Sequence, residues 1–174
     1  GAICKVDIQD GKVKAETIGN EKAKGICGTG VVDTVYELLK EEIIDENGLM
    51  EEEFFEDGFF LDQEENIRFC QKDVREIQLA KSAVRSGLET LVLRYGVSYE
   101  DIDSIYIAGG FGCRLDIGKA VGIGMFPEEC ERKIVAVGNS CLSGVVRCLM
   151  EEKAVEVMEK LVKNAEEIPL SNDK

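Results

Sequence analysis

Residues 104–112 carry the sequence Ser104-Ile105-Tyr106-Ile107-Ala108-Gly109-Gly110-Phe111-Gly112, in which an apolar run ends in three glycines out of four residues. The run is typical of a buried strand, because strands covered on both faces have continuous hydrophobic sequences. Glycines after such a strand let a ligand approach the backbone closely, and in open α/β sheets nucleotides bind at that end of the strands. The segment therefore predicts an α/β fold with a nucleotide-binding loop at Gly109, Gly110, Phe111 and Gly112. A tight turn into the next helix is the alternative.

Two further glycine-rich loops each precede a predicted helix. Gly25-Ile26-Cys27-Gly28-Thr29-Gly30 comes before residues with helical apolar spacing, and Thr29 is the expected N-cap. Gly138-Asn139-Ser140 follows Lys133-Ile134-Val135-Ala136-Val137, a second predicted buried strand. Helix N-termini carry unpaired N–H groups and attract anions, so we expect the loops to converge at one edge of a sheet. None of them fits the P-loop or the Rossmann glycine pattern.

The remaining sequence predicts a single domain over residues 1–174. Runs of alternating polarity on either side of Asp10-Gly11 predict a β-hairpin. Asp73 and Glu76 form an apparent capping box for a helix that ends at Gly96. Short strands are predicted at Phe54 to Leu61 and at Asn66 to Phe69, around an acidic insertion at about 50–66. A short helix is expected at 116–123, and two amphipathic helices follow residue 140.

Composition excludes several classes of function. The net charge of −14 argues against binding to nucleic acid, where cationic contacts dominate affinity. The chain contains no histidine, which removes histidine-based catalysis and metal ligation. Its seven cysteines are scattered without a C-x-x-C pair, so we expect free thiols in a reducing cytoplasm and no zinc or iron–sulfur site in this chain. The apolar runs are too short for a membrane span, and without an initial Met a longer parent protein is expected.

Several motifs occur in an order that is characteristic of one family. They are Gly25-Ile-Cys-Gly-Thr-Gly30 with Val31-Val-Asp33, Gln71 to Lys81, Ile107-Ala-Gly-Gly-Phe-Gly112 with Leu115-Asp116, Gly138-Asn-Ser140 and Leu170-Ser-Asn-Asp173. Together they resemble the C-terminal part of the reductive activators of corrinoid proteins. These are ATP-dependent redox proteins of the acetate-kinase, sugar-kinase and actin-like superfamily.

The resemblance implies both a fold and a function. The fold would be the second lobe of an actin-like (ribonuclease H-like) ATPase, a mixed sheet flanked by helices that is incomplete relative to the two-lobed parent. The complete protein would bind ATP with Mg²⁺ and reduce cobalt(II) corrinoid proteins of methyl-transfer systems. Its iron–sulfur cluster would lie in an N-terminal domain that this chain lacks. The corrinoid protein or methyltransferase component and the missing N-terminal lobe would be its partners, and no nucleic acid or membrane is expected.

The family pattern also implies a set of ATP-binding residues. Ile107, Ala108, Gly109 and Gly110 would form the adenosine-side strand and loop, and Gly28, Thr29 and Gly30 would lie near the phosphates. The polar face of the long helix would border the adenine or ribose through Gln78, Lys81 and Ser82, although a solvated helix face is the alternative for Lys81. Phe111, Gly112, Gly138, Asn139 and Ser140 complete the expected set.

Two features of such ATPases have no counterpart in the sequence. The D-x-G-T/S phosphate hairpins and the cluster cysteines are both absent, so we expect no catalytic residue, no metal ligand and no turnover from the isolated chain. Two alternatives remain open: an interaction module with an acidic docking face and a degenerate nucleotide site, and an activator of a radical acyl-CoA dehydratase. The second alternative rests on Cys27, which lies beside a Gly-Thr-Gly loop.

Overall fold

The described residues form three small sheets, and the first sheet has a helix packed directly on it. The computed structural model describes residues 1–9 and 11–168, so Asp10 of the predicted turn and the closing Leu170 to Asp173 motif lie outside the described residues. The strands of the described part are β1 (Ala2–Gln9), β2 (Lys12–Thr17), β3 (Gly25–Ile26), β4 (Phe59–Asp62), β5 (Ile67–Phe69), β6 (Ile105–Ala108) and β7 (Ile134–Gly138). The helices are α1 (Gly28–Lys40), α2 (Glu52–Phe55), α3 (Gln71–Tyr95), α4 (Gly109–Gly112), α5 (Ile117–Gly122), α6 (Ser140–Met150) and α7 (Ala154–Asn164).

The first sheet has the order β2-β1-β3. β1 and β2 pair antiparallel, with Val6 opposite Ala15, which confirms the predicted hairpin. β3 runs parallel to β1 for two residues only, so most of the outer edge of β1 has no strand partner in the described chain. Alternation along β1 turns Val6 and Ile8 into the core, as expected for a strand with one covered face.

Helix α1 packs directly on β1 and supplies much of the core. A Cβ at Gly30 would overlap the carbonyl oxygen of Ile3, so only glycine permits this close approach. The main buried side chains come from β1, α1, the β4–β5 hairpin, the start of α3 and the region around α5, and include Ile3, Ile8, Val32, Leu38, Phe69, Val74, Ala120 and Met125. Burial of this apolar set is what holds α1 in place.

The start of α1 differs from the prediction. Cys27 is the N-cap, and Thr29 lies within the first turn, where its hydroxyl donates to the carbonyl oxygen of Cys4 at 3.0 Å. The Thr29 N-cap prediction was therefore wrong, because a tertiary contact with β1 engages that hydroxyl. The helix begins one residue before it, at Gly28.

The acidic insertion is partly helical. Both predicted strands occur and pair antiparallel as β4 and β5, but Phe54 and Phe55 belong to the short helix α2 rather than to the first strand. Phe54 packs edge-on against Phe59 at 5.4 Å between ring centroids, which folds α2 back on the hairpin.

Helix α3 is the longest element of the described part. Its capping box consists of Cys70 and Asp73, so the predicted pairing of Asp73 with Glu76 was wrong and the helix starts at Gln71. The carboxylate of Asp73 accepts a hydrogen bond from the Cys70 N–H at 2.8 Å. The helix ends, as predicted, at Gly96, whose φ of 71° is a left-handed C-cap conformation.

Strands β6 and β7 form a parallel pair, and both predicted strands are confirmed. The prediction that both strands are buried was wrong, because the Tyr106 side chain is 67% exposed and Val135 and Val137 are also exposed. Parallel strands are normally covered on both faces, whereas the described chain leaves these side chains without a covering layer. The helix expected at 116–123 is α5, and α6 and α7 are the two predicted amphipathic helices.

Candidate functional site

Two of the three glycine loops touch each other. A Cβ built on Gly28 would lie 3.1 Å from the Cδ2 and Cε2 atoms of Phe111. The first turn of α1 therefore packs against the loop that follows β6. This contact brings the predicted residues Gly28 and Phe111 to one rim.

The rim borders a cleft of about 730 Å³. Its inner wall is mostly apolar and is formed by Ile26, Val31, Ile77, Ala80, Val84 and Met125. Polar side chains are contributed by Arg68, Asp73 and Glu76, next to Gly28 and Phe111. A largely apolar cavity with a few polar groups is the usual form of a small-molecule site.

The third loop lies beside the second. β6 and β7 are in parallel register, with Ala108 opposite Gly138, so the segments after both strands leave the same edge of the sheet. A Cβ on Gly138 would lie 3.7 Å from Cys113 Sγ, just after the second loop. The third loop therefore lies beside the second at one edge of the β6–β7 sheet, and the first loop, which follows a strand of another sheet, meets the second through Gly28 and Phe111.

The glycines of the second loop face open space. Neither Gly109 nor Gly110 would bring a Cβ within 4 Å of another heavy atom outside its neighbours, and Gly109 has a φ of 94°. Gly112 differs, because a Cβ there would overlap the side chain of Ile107. The backbone of Gly109 and Gly110 is therefore accessible to a ligand, whereas Gly112 is required for packing.

Several predicted residues have structural contacts of their own. Thr29 is buried against Cys4, and Gly30 lies against Ile3, so neither faces the cleft. Asn139 caps α6 by accepting a hydrogen bond from the Leu142 N–H at 3.0 Å. Ser140 lines a separate cavity between α6 and α7.

Gln78 and Lys81 lie on a different side of α3. The amide of Gln78 donates to the carbonyl oxygen of Asn47 at 2.7 Å, and Lys81 Nζ would be 3.3 Å from a Cβ on Gly124. Both line a small cavity of about 40 Å³ and not the cleft. The α3 residues in the cleft are Asp73, Glu76, Ile77, Ala80 and Val84. Sequence reasoning missed Asp73 and Glu76 as cleft residues, because the face of α3 that borders the cleft depends on how the helix packs.

A buried charge cluster lies behind the cleft. Lys119 Nζ is 2.8 Å from Glu37 Oε1 and 3.7 Å from Asp33 Oδ2, and it donates to the carbonyl oxygen of Val6. The carboxylates also bind the unpaired edge of β1: Val6 N–H donates to Asp33 at 3.1 Å and Ile8 N–H donates to Glu37 at 3.3 Å. Lys40 Nζ donates to Glu37 as well, at 3.2 Å. The cluster thus joins α1, β1 and α5.

The two carboxylates respond differently to this environment. Burial raises the pKa of Asp33 above its usual range, and the Val6 N–H and Lys119 only partly offset that effect. Burial also acts to raise the pKa of Glu37, but hydrogen bonds from Lys119, Lys40 and the Ile8 N–H outweigh it and hold this pKa below its usual range. Glu37 is therefore the more firmly ionised partner of Lys119.

Cys27 is a thiol at the N-terminus of α1. Its Sγ is 3.2 Å from Thr29 Oγ1. Burial acts to raise its pKa, but the Thr29 side chain and the N–H groups of Gly30 and Thr29 outweigh that effect and lower the pKa below its usual value. Within the described residues, no group of three or more Cys, Asp or Glu side chains is arranged to hold a metal ion. None of the described helices combines the length and apolar character that a membrane crossing requires.

The chain is similar to known proteins of corrinoid activation. The "Corrinoid activation enzyme RamQ" of Eubacterium limosum is 28% identical over 195 residues, which cover 99% of this chain and 33% of that protein. The "Co(II) methylated amine-specific corrinoid protein reductase" of Methanosarcina barkeri is 30% identical over 158 residues, or 91% of this chain and 28% of that protein. The chain thus spans about a third of the length of these curated relatives.

A solved structure gives the same result at the level of the fold. The "Reductive activator for corrinoid, iron-sulfur protein" matches with a TM-score of 0.89 and 32% sequence identity, over 99% of this chain and 30% of that chain. Residues 1–174 also match the family described as the C-terminal domain of RACo, the ASKHA domain. The predicted actin-like fold is therefore confirmed. This chain belongs to the family of the C-terminal ASKHA domain of RACo, the reductive activators of corrinoid proteins.

Proposed function

We propose that this chain is the nucleotide-binding lobe of an ATP-dependent redox activator that reduces cobalt(II) corrinoid proteins of methyl-transfer systems. The observation that carries the proposal is the contact between Gly28 and Phe111, which unites two glycine loops at the rim of a 730 Å³ cleft. The cleft has the volume and the mixture of apolar and polar walls that small-molecule sites have.

The residues of the cleft fit a nucleoside better than a bare phosphate. Ile77, Ala80 and Val84 offer an apolar wall to a purine, and the ring of Phe111 is available at the rim. The carboxylates of Asp73 and Glu76 accept hydrogen bonds and suit sugar hydroxyl groups, whereas they would repel phosphate. We therefore place the phosphates of ATP towards the open backbone of Gly109 and Gly110, which reverses the assignment expected from the family pattern, because Thr29 and Gly30 pack against β1.

The rest of the activity belongs to the longer protein. Bound ATP with Mg²⁺ would supply the free energy of phosphoanhydride hydrolysis for an unfavourable electron transfer. The sequence lacks the D-x-G-T/S phosphate hairpins and the cluster cysteines. We therefore assign catalysis and the iron–sulfur cluster to other segments of the longer protein. The named activities of RamQ and of the Methanosarcina reductase concern corrinoid proteins, which supports a corrinoid protein as the partner.

Those outer segments also have a surface on this chain to cover. Helices α6 and α7 expose many apolar side chains, among them Leu142, Val145, Leu149, Met150, Val157, Leu161 and Val162. Contiguous exposed apolar side chains of this kind mark contact surfaces. We propose that the first lobe or another part of the longer protein packs there. The seven free cysteines support a reducing, cytoplasmic setting for the complete protein.

Titration of the labelled chain with Mg-ATP tests the nucleotide site. We expect chemical-shift changes in the backbone resonances of Gly28, Gly109 and Gly110 and in the ring of Phe111. The Gly28→Val variant should abolish them, because the added side chain fills the space next to the Phe111 ring. Gly144→Val is the matched control, since Gly144 lies on α6 with open space around it.

The alternatives predict other outcomes. A degenerate interaction module would show no shift at any of these residues, even at high Mg-ATP concentration. An activator of a radical dehydratase would bind iron through Cys27, which a visible absorption band and its loss in Cys27→Ser would show.

The redox function needs the complete protein. With reductant, Mg-ATP and a corrinoid protein, the Co(II) electron paramagnetic resonance signal should decay, and omission of ATP or the Gly28→Val substitution should slow the decay. A rate that does not depend on ATP would contradict the proposed function.

A further inference from the structure

The buried lysine Lys119 connects the two loops of the cleft through the elements that carry them. Its ammonium group contacts both carboxylates of α1, Asp33 and Glu37, and the carbonyl oxygen of Val6 on β1. The Lys119 side chain is 13% exposed and that of Glu37 is 2% exposed, so water does little to replace these contacts. No other lysine among the described residues contacts two buried carboxylates.

On one side, this contact fixes the start of α1. Asp33 lies five residues after Gly28 on the same helix, about 7.5 Å along its axis. A helix of 13 residues moves as a unit, so a shift at Asp33 and Glu37 displaces Gly28 as well. The bond from Thr34 Oγ1 to the Gly30 carbonyl oxygen, at 2.7 Å, ties this first part of the helix together.

On the other side, the contact fixes the segment that follows Phe111. That segment runs from Phe111 to Asp116, the N-cap of α5, whose carboxylate accepts a hydrogen bond from the Lys119 N–H at 3.0 Å. Lys119 thus holds the start of α5 through its backbone and reaches α1 through its side chain. Close packing of Gly122 on the ring of Tyr36 is a second contact between the same two helices.

We propose that Lys119 is a positioning residue of the nucleotide cleft: it sets the separation of Gly28 and Phe111 by neutralising and binding the two carboxylates of α1. The inference rests on the proposed nucleotide-binding function for its consequence, but its geometric part is independent of any ligand. Without the ammonium group, the ion pairs that join α1 to α5 are lost, and Asp33 is left near the like charge of Asp116 at the start of α5, which acts to move the two helices apart.

Three variants separate positioning from general stability. Lys119→Met removes the charge and keeps the aliphatic stem, Lys119→Arg keeps the charge, and Lys40→Met removes the half-exposed lysine that binds Glu37 at 3.2 Å without reaching α5. The readouts are the nuclear Overhauser contact between the Phe111 ring and the Gly28 α-protons, the affinity for Mg-ATP, and thermal unfolding, all in the chain of residues 1–174.

We expect Lys119→Met to lose the Phe111–Gly28 contact and to weaken Mg-ATP binding about tenfold, within the range for residues that act through others. Lys119→Arg should retain the contact and most of the affinity, and Lys40→Met should leave both unchanged. A merely structural role would lower the unfolding temperature in Lys119→Met and leave the contact and the affinity intact below that temperature. If Lys119→Met does not fold, Glu37→Gln breaks the 2.8 Å ion pair of the same tie and is measured in its place.

The possible failures can be told apart. An intact Phe111–Gly28 contact in Lys119→Met, or in Glu37→Gln in its place, overturns the positioning role, whatever the affinity. Absence of Mg-ATP binding in the unmodified chain overturns the proposed function and, with it, the role of Lys119 in binding, while the contact still decides whether Lys119 sets the geometry.

Discussion

The backbone of Gly30 lies against the carbonyl oxygen of Ile3, so α1 and β1 meet with no side chain between them. We expect Gly30→Ala to lower the free energy of unfolding by about 1–3 kcal/mol, the usual cost of overpacking a core. The matched control is Gly144→Ala, which adds the same methyl group to α6 in open space and should stabilise by up to about 1 kcal/mol. Urea unfolding of both variants measures the difference, and equal effects would contradict the close packing.

The ion pair of Glu37 with Lys119 makes stability depend on pH. Because the pKa of Glu37 is lower in the folded chain, its contribution is present above the unfolded value of about 4.3 and is lost as the pH falls through the folded value. Glu37→Gln should therefore cost about 3–5 kcal/mol near neutral pH, and the cost should shrink as the pH approaches about 3.

Chemical unfolding of both proteins across this pH range checks that expectation. Glu46→Gln removes an exposed carboxylate and serves as the control, with a change within about 0.5 kcal/mol at every pH. A cost for Glu37→Gln that stays constant or grows towards acid pH would show that Glu37 is not held in its charged form.

The thiol of Cys27 should ionise more readily than an ordinary cysteine. Its pKa is lowered chiefly by the Thr29 hydroxyl, against the opposing effect of burial. Iodoacetamide should therefore alkylate Cys27 at a lower pH than it alkylates a cysteine of ordinary pKa. The Thr29 hydroxyl donates to the Cys4 carbonyl oxygen and turns to the sulfur when Cys27 ionises. Removing it in Thr29→Val should therefore shift the pH profile of Cys27 labelling upwards, as read by mass spectrometry of the Cys27 peptide. An unchanged profile would mean that Thr29 does not stabilise the thiolate.

The apolar surface of α6 and α7 should make the isolated chain self-associate. Leu149 is 80% exposed and Leu161 is 67% exposed, and both line the cavity between the two helices. The double variant Leu149→Glu, Leu161→Glu should be monomeric at concentrations where the unmodified chain is not, because charge disfavours burial of this surface. Sedimentation velocity distinguishes the two cases. The control is Glu152→Gln, a substitution at an exposed polar residue nearby that should leave the self-association unchanged.

Local sequence patterns were sufficient where the structure depends on local chemistry. The Asp10-Gly11 turn between alternating runs predicts the β1–β2 hairpin, and Gly96 marks the end of α3 because a left-handed cap favours glycine. The run at 104–108 predicts β6, and the glycines after it predict an accessible backbone at Gly109 and Gly110. The family motifs identified the actin-like fold, which the structural match confirms.

Tertiary contacts decide the features that the sequence did not reveal. The face of α3 that borders the cleft depends on how the helix packs, and the structure places Asp73 and Glu76 there while Gln78 and Lys81 face the turn at Asn47 and Gly48. Thr29 has the chemistry of an N-cap, but its hydroxyl is engaged by Cys4. The charge cluster escaped prediction because Asp33 and Lys119 lie far apart in the sequence and meet only through α1 and α5.

The outer edge of β1 has a consequence for how this chain behaves at high concentration. A strand whose N–H and C=O groups lack partners is a template for fibril growth. Here Asp33, Glu37 and Lys119 bind the N–H groups of Val6 and Ile8 and the carbonyl oxygen of Val6, so incoming backbone finds no free donors at these positions. We therefore expect any clustering of the chain through the apolar surface of α6 and α7 to be amorphous and reversible, and ordered cross-β growth from this edge to be disfavoured.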